Sequence, residues 1–326
     1  LAEGWVETAV RSGMRYAVLT TRHHDGYFIG DELVRSFCDS CRKYGLGVGL
    51  YYSVGDWSDF DFRGGVNGPH WGRFVEKTHS QLKELMTNYG AVDYLFYDGC
   101  PPPQSWNAAE LHRELRRLQP GLLISNRCGL KEDIASSEQH SGAHAGLWES
   151  CYTLNDSWGY NRYDHHWKTP EKIIDLLMTM RHNGGNFLLN VGPDGDGGIP
   201  EPAVRIMEQI GDWMKINSES IYGTTASPFQ ALDWGYCTQK NGKLYLHVFD
   251  RPADGKINLP IKNKVTAVYA LASPKMKLKY TLENGRPAIP VDVFDSNKGP
   301  KVIVVEIQGK PIVEESLTQT QADGRI

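Results

Sequence analysis

No apolar run in this chain approaches the roughly 20 residues a membrane-spanning helix needs, so no membrane partner is expected. Charge imbalance is equally scarce. The 35 basic and 39 acidic side chains leave a formal net charge of −4, no electrostatic footprint for nucleic acid or an anionic bilayer. Cysteines number six and are scattered, which excludes the dense disulfide framework of small secreted folds. Cys38 and Cys41 form a CxxC, but they sit inside the amphipathic stretch from Leu33 to Tyr44, where they read as helix-face thiols rather than a redox pair. Cys100, Cys128 and Cys151 each follow the end of a predicted strand, at spacings that fit no zinc pattern; they read as buried free thiols. The opening LAEGWVETAVRSG has neither the basic n-region nor the small-residue cleavage site of a signal peptide. It reads as an amphipathic helix that ought to follow a strand, so a first strand upstream is expected to be missing.

What is present is a regular alternation. Predicted strands 15–21 (RYAVLTT), 46–53 (LGVGLYYS), 92–97 (VDYLFY), 121–126 (GLLISN) and 186–191 (NFLLNV) are separated by helical stretches at 33–44, 71–89, 107–118 and 170–183, and a helix from Pro200 to about Asn217 follows. The region from Ile134 to Asn161 holds one or two further strands. Such alternation implies a parallel sheet. No GxGxxG follows any strand, which removes the main sign of a dinucleotide-binding sheet. Instead polar residues cap nearly every strand (His23-His24-Asp25, Ser53, Asp98, Asn126-Arg127, Asn190), the pattern of a (β/α)8-like barrel with chemistry at its C-terminal face. After Tyr222 the pattern changes to strands split by Gly, Pro, Asn and Asp turns: 243–250, 265–271 and 301–307. The expected organisation is a barrel domain over 1–226, a small antiparallel β-sandwich over 227–313 and a polar tail at 314–326.

The candidate chemistry sits at strand ends. Asp98 closes an apolar strand and would project into the barrel mouth, where a rigidly held carboxylate can act as a nucleophile; a turn-capping aspartate is the equal alternative from position alone. His23 and His24 read as neutral imidazoles that hydrogen-bond a hydroxylated ligand. A metal site would need more convergent ligands, and no metal or cofactor is expected. Glu132, Glu138 and Glu149 are candidates for a general acid. Glu132 lies in a charged loop, while Glu149 between Trp148 and Ser150 has the apolar neighbour that could raise a carboxyl pKa. Trp57, Trp106, Trp148, Trp158 and Trp167 fall in loops after strands; flat indoles suit the C–H faces of sugars, although at least half should simply anchor loops. Trp148 is retained among the sugar-contact candidates.

Six blocks in order resemble one family. YAVLTTRHHDGY, GLGVGLYYS, DYLFYDG, WESCYTLNDSWGYN, HNGGNFLLNVGPDGDGGIP and IYGT are similar to glycoside hydrolase family 29, the α-L-fucosidases, from about residue 3 to residue 224, and the sandwich matches the family's C-terminal domain. The resemblance implies a retaining double displacement on a terminal α-L-fucosyl linkage of an oligosaccharide or glycoconjugate. It places the nucleophile on Asp98, sugar contacts on His23, His24, Tyr51, Arg127 and Trp158, and the acid/base on Glu138, with Glu149 kept as second candidate. A non-catalytic fucose-binding relative and a metal-dependent barrel hydrolase are the alternatives. Family resemblance also implies a secreted, periplasmic or lysosomal setting and leaves room for a homo-oligomer. Two departures stand out: the family's first strand with its H-W-G motif is missing, and the stretch between His24 and Leu33 is about 15 residues short. Strands 15–21 and 186–191 are therefore expected to face each other across a gap.

Overall fold

The computed structural model describes residues 1–291 and 300–314; the expected polar tail, apart from Glu314, lies outside them. Helix α1 (Ala2–Arg11) carries Glu3 in its first turn and Arg11 in its last, each at the end of the helix dipole that favours its sign, and buries Ala2, Val6 and Ala9. Strands β1 (Tyr16–Arg22), β2 (Gly47–Ser53), β3 (Tyr94–Asp98) and β4 (Leu123–Ile124) then run parallel in that order. Strands β5 (Ala135–Glu138), β6 (Trp148–Thr153) and β7 (Asn186–Asn190) form a second parallel run, joined to the first by a single bridge between Ser125 and Ile134. The helices between them are α2 (Asp31–Tyr44), the short α3 (Phe60–Arg63), α4 (Trp71–Thr87), α5 (Ala108–Leu118) and α6 (Pro170–His182), and α7 (Glu201–Asn217) follows β7. The sequence predicted a longer fourth strand. It stops early because a tight turn at Asn126–Cys128 bends the chain inward, which is what delivers Arg127 to the mouth.

Strand parity divides the interior into two layers. Leu95 and Tyr97 of β3 face outward into a core shared with α1, α2, α4 and α5, whereas Tyr94 and Phe96 face the barrel axis with Tyr16, Val18 and Tyr51. The barrel is open along one seam. Among the described residues no strand pairs with the outer edge of β1 over Tyr16–Thr20 or with the facing edge of β7. A cavity of about 1260 Å³ runs through that seam from the mouth to the helices behind, lined by Ala17 and Leu19, Phe187 and Leu189, and Ile210 and Met214. Every residue of β7 is in consequence half-buried, while every residue of neighbouring β6 is buried.

Beyond Tyr222 the described residues form β-strands and the turns between them. β8 (Gly235–Lys240), β9 (Lys243–Val248), β11 (Val265–Ala270), β12 (Ser273–Lys277) and β15 (Lys301–Ile307) form an antiparallel sheet in the order β12-β11-β15-β9-β8, and β10 (Lys256–Asn258), β13 (Thr281–Glu283) and β14 (Arg286–Pro290) form a second. Alternation along β15 shows how it is held: Ile303 and Val305 enter the sandwich core, while Val302 and Val304 pack on α6 and α7. Helix α1 presses on α7 so closely that a Cβ at Gly211 would collide with the Arg11 carbonyl oxygen. Gly211→Ala is expected to destabilise the chain by about 1–3 kcal/mol, read as a lower denaturant midpoint at unchanged slope. An unchanged midpoint would mean α1 can shift away freely.

Candidate functional site

The parity that sends Leu95 and Tyr97 outward also builds the site.

 Tyr51 and Ser53 on β2 are the register partners of Phe96 and Asp98 on β3, and Asp98 is the last residue of its strand, so its carboxylate stands at the mouth. Three donors converge on it. Arg127 Nη2 donates to Oδ1 at 2.8 Å, the Gly99 N–H donates to the same oxygen at 2.8 Å, and the Tyr51 hydroxyl donates to Oδ2 at 2.7 Å. Burial alone would raise the Asp98 carboxyl, but the bonds from Arg127 and Tyr51, the Arg127 charge and the Gly99 amide outweigh it and hold the group below the ordinary aspartate range. For Tyr51, burial and then the bond to Asp98 push the phenol up, so it stays a donor.

The Arg127 Nη2 that binds Asp98 also donates to Glu138 Oε2 at 3.1 Å. Glu138 closes β5 and keeps a side-chain exposure of 43%, against 21% for Asp98. On the opposite flank, His24 Nε2 lies 3.5 Å from Asp98 Oδ2. His23 stacks parallel on Tyr51 with ring centroids 5.7 Å apart, Tyr51 stacks on Phe96 at 5.5 Å, and the Arg127 guanidinium lies over Phe96 at 5.4 Å. Burial, reinforced by the neighbouring His24, lowers the His23 pKa and favours its neutral ring. Trp158 lines the same cavity beside Gly159 and Tyr160. His23, His24, Tyr51, Asp98, Arg127, Glu138 and Trp158 are thus brought together in one cavity. His23, His24 and Asp98 could also hold a metal ion, since their ligand atoms lie within 4.8 Å of one another, but the Arg127 charge on the same carboxylate opposes a cation there.

Trp148 and Glu149 go elsewhere. They are the first residues of β6, at the floor of the barrel rather than its C-terminal mouth. Trp148 is buried against Gly185 and His144 and does not line the cavity. Glu149, only 1% exposed, accepts hydrogen bonds from the Tyr16 and Tyr94 hydroxyls, each at 2.6 Å, and ties β1 and β3 to β6. The apolar neighbour that suggested an acid in the mouth signals burial instead. Burial raises the Glu149 carboxyl, against the opposing bonds from the two tyrosines. A raised native pKa means the folded chain holds this proton more tightly than the unfolded one. The associated stability is full below the unfolded pKa and is lost as pH rises through the native value. Stability of the parent relative to Glu149→Gln is therefore expected to fall as pH rises from the ordinary carboxylate range through the raised native value, measured by urea unfolding of both proteins; a difference that is constant with pH contradicts it.

The sequence missed two wall residues. Cys151 pairs in register with Glu138 and lines the cavity, and Asn190, noted only as a strand-end polar residue, lines it with a buried Oδ1 that has no partner. The parity of β6 and the end of β7 were the available signals. All six cysteines are free, and burial raises Cys38 to about 11 and Cys41 to about 12.

Known proteins share this fold. The family model described as alpha-L-fucosidase matches residues 2–31 and 29–219, two segments that meet in the stretch between His24 and α2 that reads as short. The chain is 30% identical over 336 residues to the alpha-L-fucosidase of Dictyostelium discoideum, covering 90% of this chain and 72% of that one. It is 29% identical to the plasma alpha-L-fucosidase of Homo sapiens, covering 79% of this chain but 64% of the human one. Alpha-L-fucosidase isoenzyme 1 from Paenibacillus thiaminolyticus superposes with a TM-score of 0.87 at 31% identity, over 94% of this chain and 86% of that chain. With a matching model over most of its length and these relatives on both sequence and structure, the chain belongs to the α-L-fucosidase family of glycoside hydrolases.

Proposed function

We propose that this chain hydrolyses terminal α-L-fucosyl linkages of oligosaccharides or glycoconjugates with retention, Asp98 acting as nucleophile and Glu138 as acid/base. The observation that carries the reading is the single Arg127 nitrogen bound to both carboxylates, at 2.8 and 3.1 Å. The two bonded oxygens can be no farther apart than these contacts laid end to end. That admits the separation of about 5–5.5 Å used by retaining enzymes.

In the first step an Asp98 oxygen attacks the anomeric carbon, the glycosidic C–O bond breaks, and the Glu138 proton passes to the leaving oxygen. Water then enters, gives its proton to Glu138 and cleaves the fucosyl ester, returning Asp98 as a carboxylate. The donors around Asp98 suit this role, because they keep it ionised near neutrality while the strand holds it rigidly. The greater exposure of Glu138 suits a group that meets both the leaving group and water.

Release of p-nitrophenol from the aryl α-L-fucoside, with the β-D-galactoside and β-D-fucoside as controls, tests the reading. Turnover confined to the α-L-fucoside supports it. Binding of fucose without turnover favours the second reading, a non-catalytic relative, for which the open seam in the cavity wall is the specific observation. Of the secreted, periplasmic or lysosomal settings that the family resemblance implies, the plasma enzyme among the relatives supports the secreted one. Among the described residues no helix is long and apolar enough to cross a membrane.

A further inference from the structure

We propose that Ser53 is a positioning residue that fixes the tautomer of His24, placing the ring proton on Nδ1 and leaving Nε2 bare as a hydrogen-bond acceptor for a sugar hydroxyl. The inference rests on the fucoside-hydrolase reading for the identity of the ligand, but not for the state of the ring.

The argument begins with one proton. The Ser53 hydroxyl is fully buried and has two neighbours, the Gly55 carbonyl oxygen at 2.8 Å and His24 Nδ1 at 2.6 Å. A hydroxyl donates once and can accept as well. The Gly55 carbonyl can only accept, so both contacts are hydrogen bonds in a single arrangement: Ser53 donates to Gly55, and His24 Nδ1–H donates to Ser53. The other tautomer turns the Ser53 proton to Nδ1 and strips a buried carbonyl of this donor.

The distance on the far side of the ring agrees. His24 Nε2 is 3.5 Å from Asp98 Oδ2, well beyond the roughly 2.7–2.9 Å of a charge-assisted N–H···O bond. A bare Nε2 leaves the Asp98 lone pairs free for the anomeric carbon, and a ligand hydroxyl between the two groups can donate to the ring.

The imidazole has little freedom to turn away. The Trp57 indole stacks on one face with centroids 4.7 Å apart, and the Trp57 N–H donates to the His24 carbonyl at 2.7 Å. Trp57 is held by the 56–59 turn, in which Asp56 accepts from the Ser58 and Asp59 amides while pairing with buried Arg22. On the other side is Gly99, at φ +55°, where a Cβ would come within 2.6 Å of His24 Cε1. A glycine after Asp98 is what lets the ring lie against the β3 end.

The test reads the ring directly. In the 15N-labelled, ligand-free protein, long-range 1H–15N correlations of His24 (assigned by its loss in His24→Gln) are expected to show a neutral ring protonated at Nδ1. A neutral ring protonated at Nε2, or a doubly protonated ring at every pH at which the fold persists, overturns the proposal. Ser53→Ala should move the proton toward Nε2, and Ser53→Thr, which keeps the hydroxyl, should return it to Nδ1; an Ala variant with the parental spectrum shows that Ser53 sets nothing. On monodeoxy aryl fucosides, the analogue lacking the hydroxyl received by Nε2 should lose about tenfold in kcat/KM with the parent and no more than twofold (roughly) with Ser53→Ala. Equal losses in both proteins count against it. A chain inactive on every fucoside would refute the proposed function while leaving the nitrogen spectrum to decide the tautomer.

Discussion

Asp98→Ala is expected to abolish α-L-fucoside hydrolysis, a loss of several powers of ten, while the protein stays folded. The side chain lies at the mouth, and its removal leaves no buried charge uncompensated, since Arg127 retains Glu138 as a partner. Tyr51 loses its acceptor and Gly99 its short amide bond, both at positions water can reach through the cavity. Azide should occupy the vacated space and restore part of the rate. A single displacement by azide inverts the anomeric centre, so the product expected is the β-L-fucosyl azide. A variant keeping more than a few per cent of the parental rate (roughly) would remove Asp98 from the nucleophile's role.

Glu138→Ala carries the second large effect, and its signature depends on the leaving group. Natural oligosaccharides need their departing oxygen protonated and should lose about 10²–10⁴-fold in kcat/KM. A dinitrophenyl fucoside, whose leaving group departs unaided, should lose far less in the first step and accumulate the fucosyl-enzyme. Azide then attacks that intermediate and gives the retained α-L-fucosyl azide, the opposite anomer from the Asp98 variant. If both variants gave the same anomer, or if Glu138→Ala hurt all leaving groups equally, another residue would be the acid. Glu149 cannot take the place without leaving its two tyrosines, which hold it at the floor.

What could be read from the sequence follows from how far each signal is local. The place of Asp98 at the mouth was legible because an apolar strand that stops at an Asp-Gly step ends at the C-terminal face of a parallel barrel, and β3 keeps it, but its role as nucleophile came from the family resemblance. The alternation of helices and strands fixed the first 220 residues for the same reason. Glu149 shows the limit. A carboxyl beside tryptophan reads the same at the floor and at the mouth, and only its place at the start of β6 rather than the end of β5 separates the two. Roles for Tyr51, Arg127 and Trp158 came from the family resemblance, because single aromatic or basic residues at strand ends have no signature of their own. The sandwich was only half visible. β9, β11 and β15 are apolar and long, but β10 and β13 have three residues each and every residue of β12 is exposed, so no alternation marks them.

The seam between β1 and β7 gives the barrel a stiff half and a soft half. Amides of β2 lie inside a ladder on both sides, and β3 is paired to β2 along its length and to β4 over Tyr94 and Leu95, so these amides should be the slowest of the barrel to exchange with solvent. Those of β1 and β7 that point into the seam have no ladder partner among the described residues and should exchange orders of magnitude faster, although they sit near the centre of the molecule. The catalytic candidates divide along that line. Asp98 and Tyr51 stand on the slow half, whereas His23, His24 and Asn190 hang from the ends of the two fast strands. A peptide or ligand that bridged the seam would show itself first as protection of the β1 and β7 amides, well before any change at Asp98.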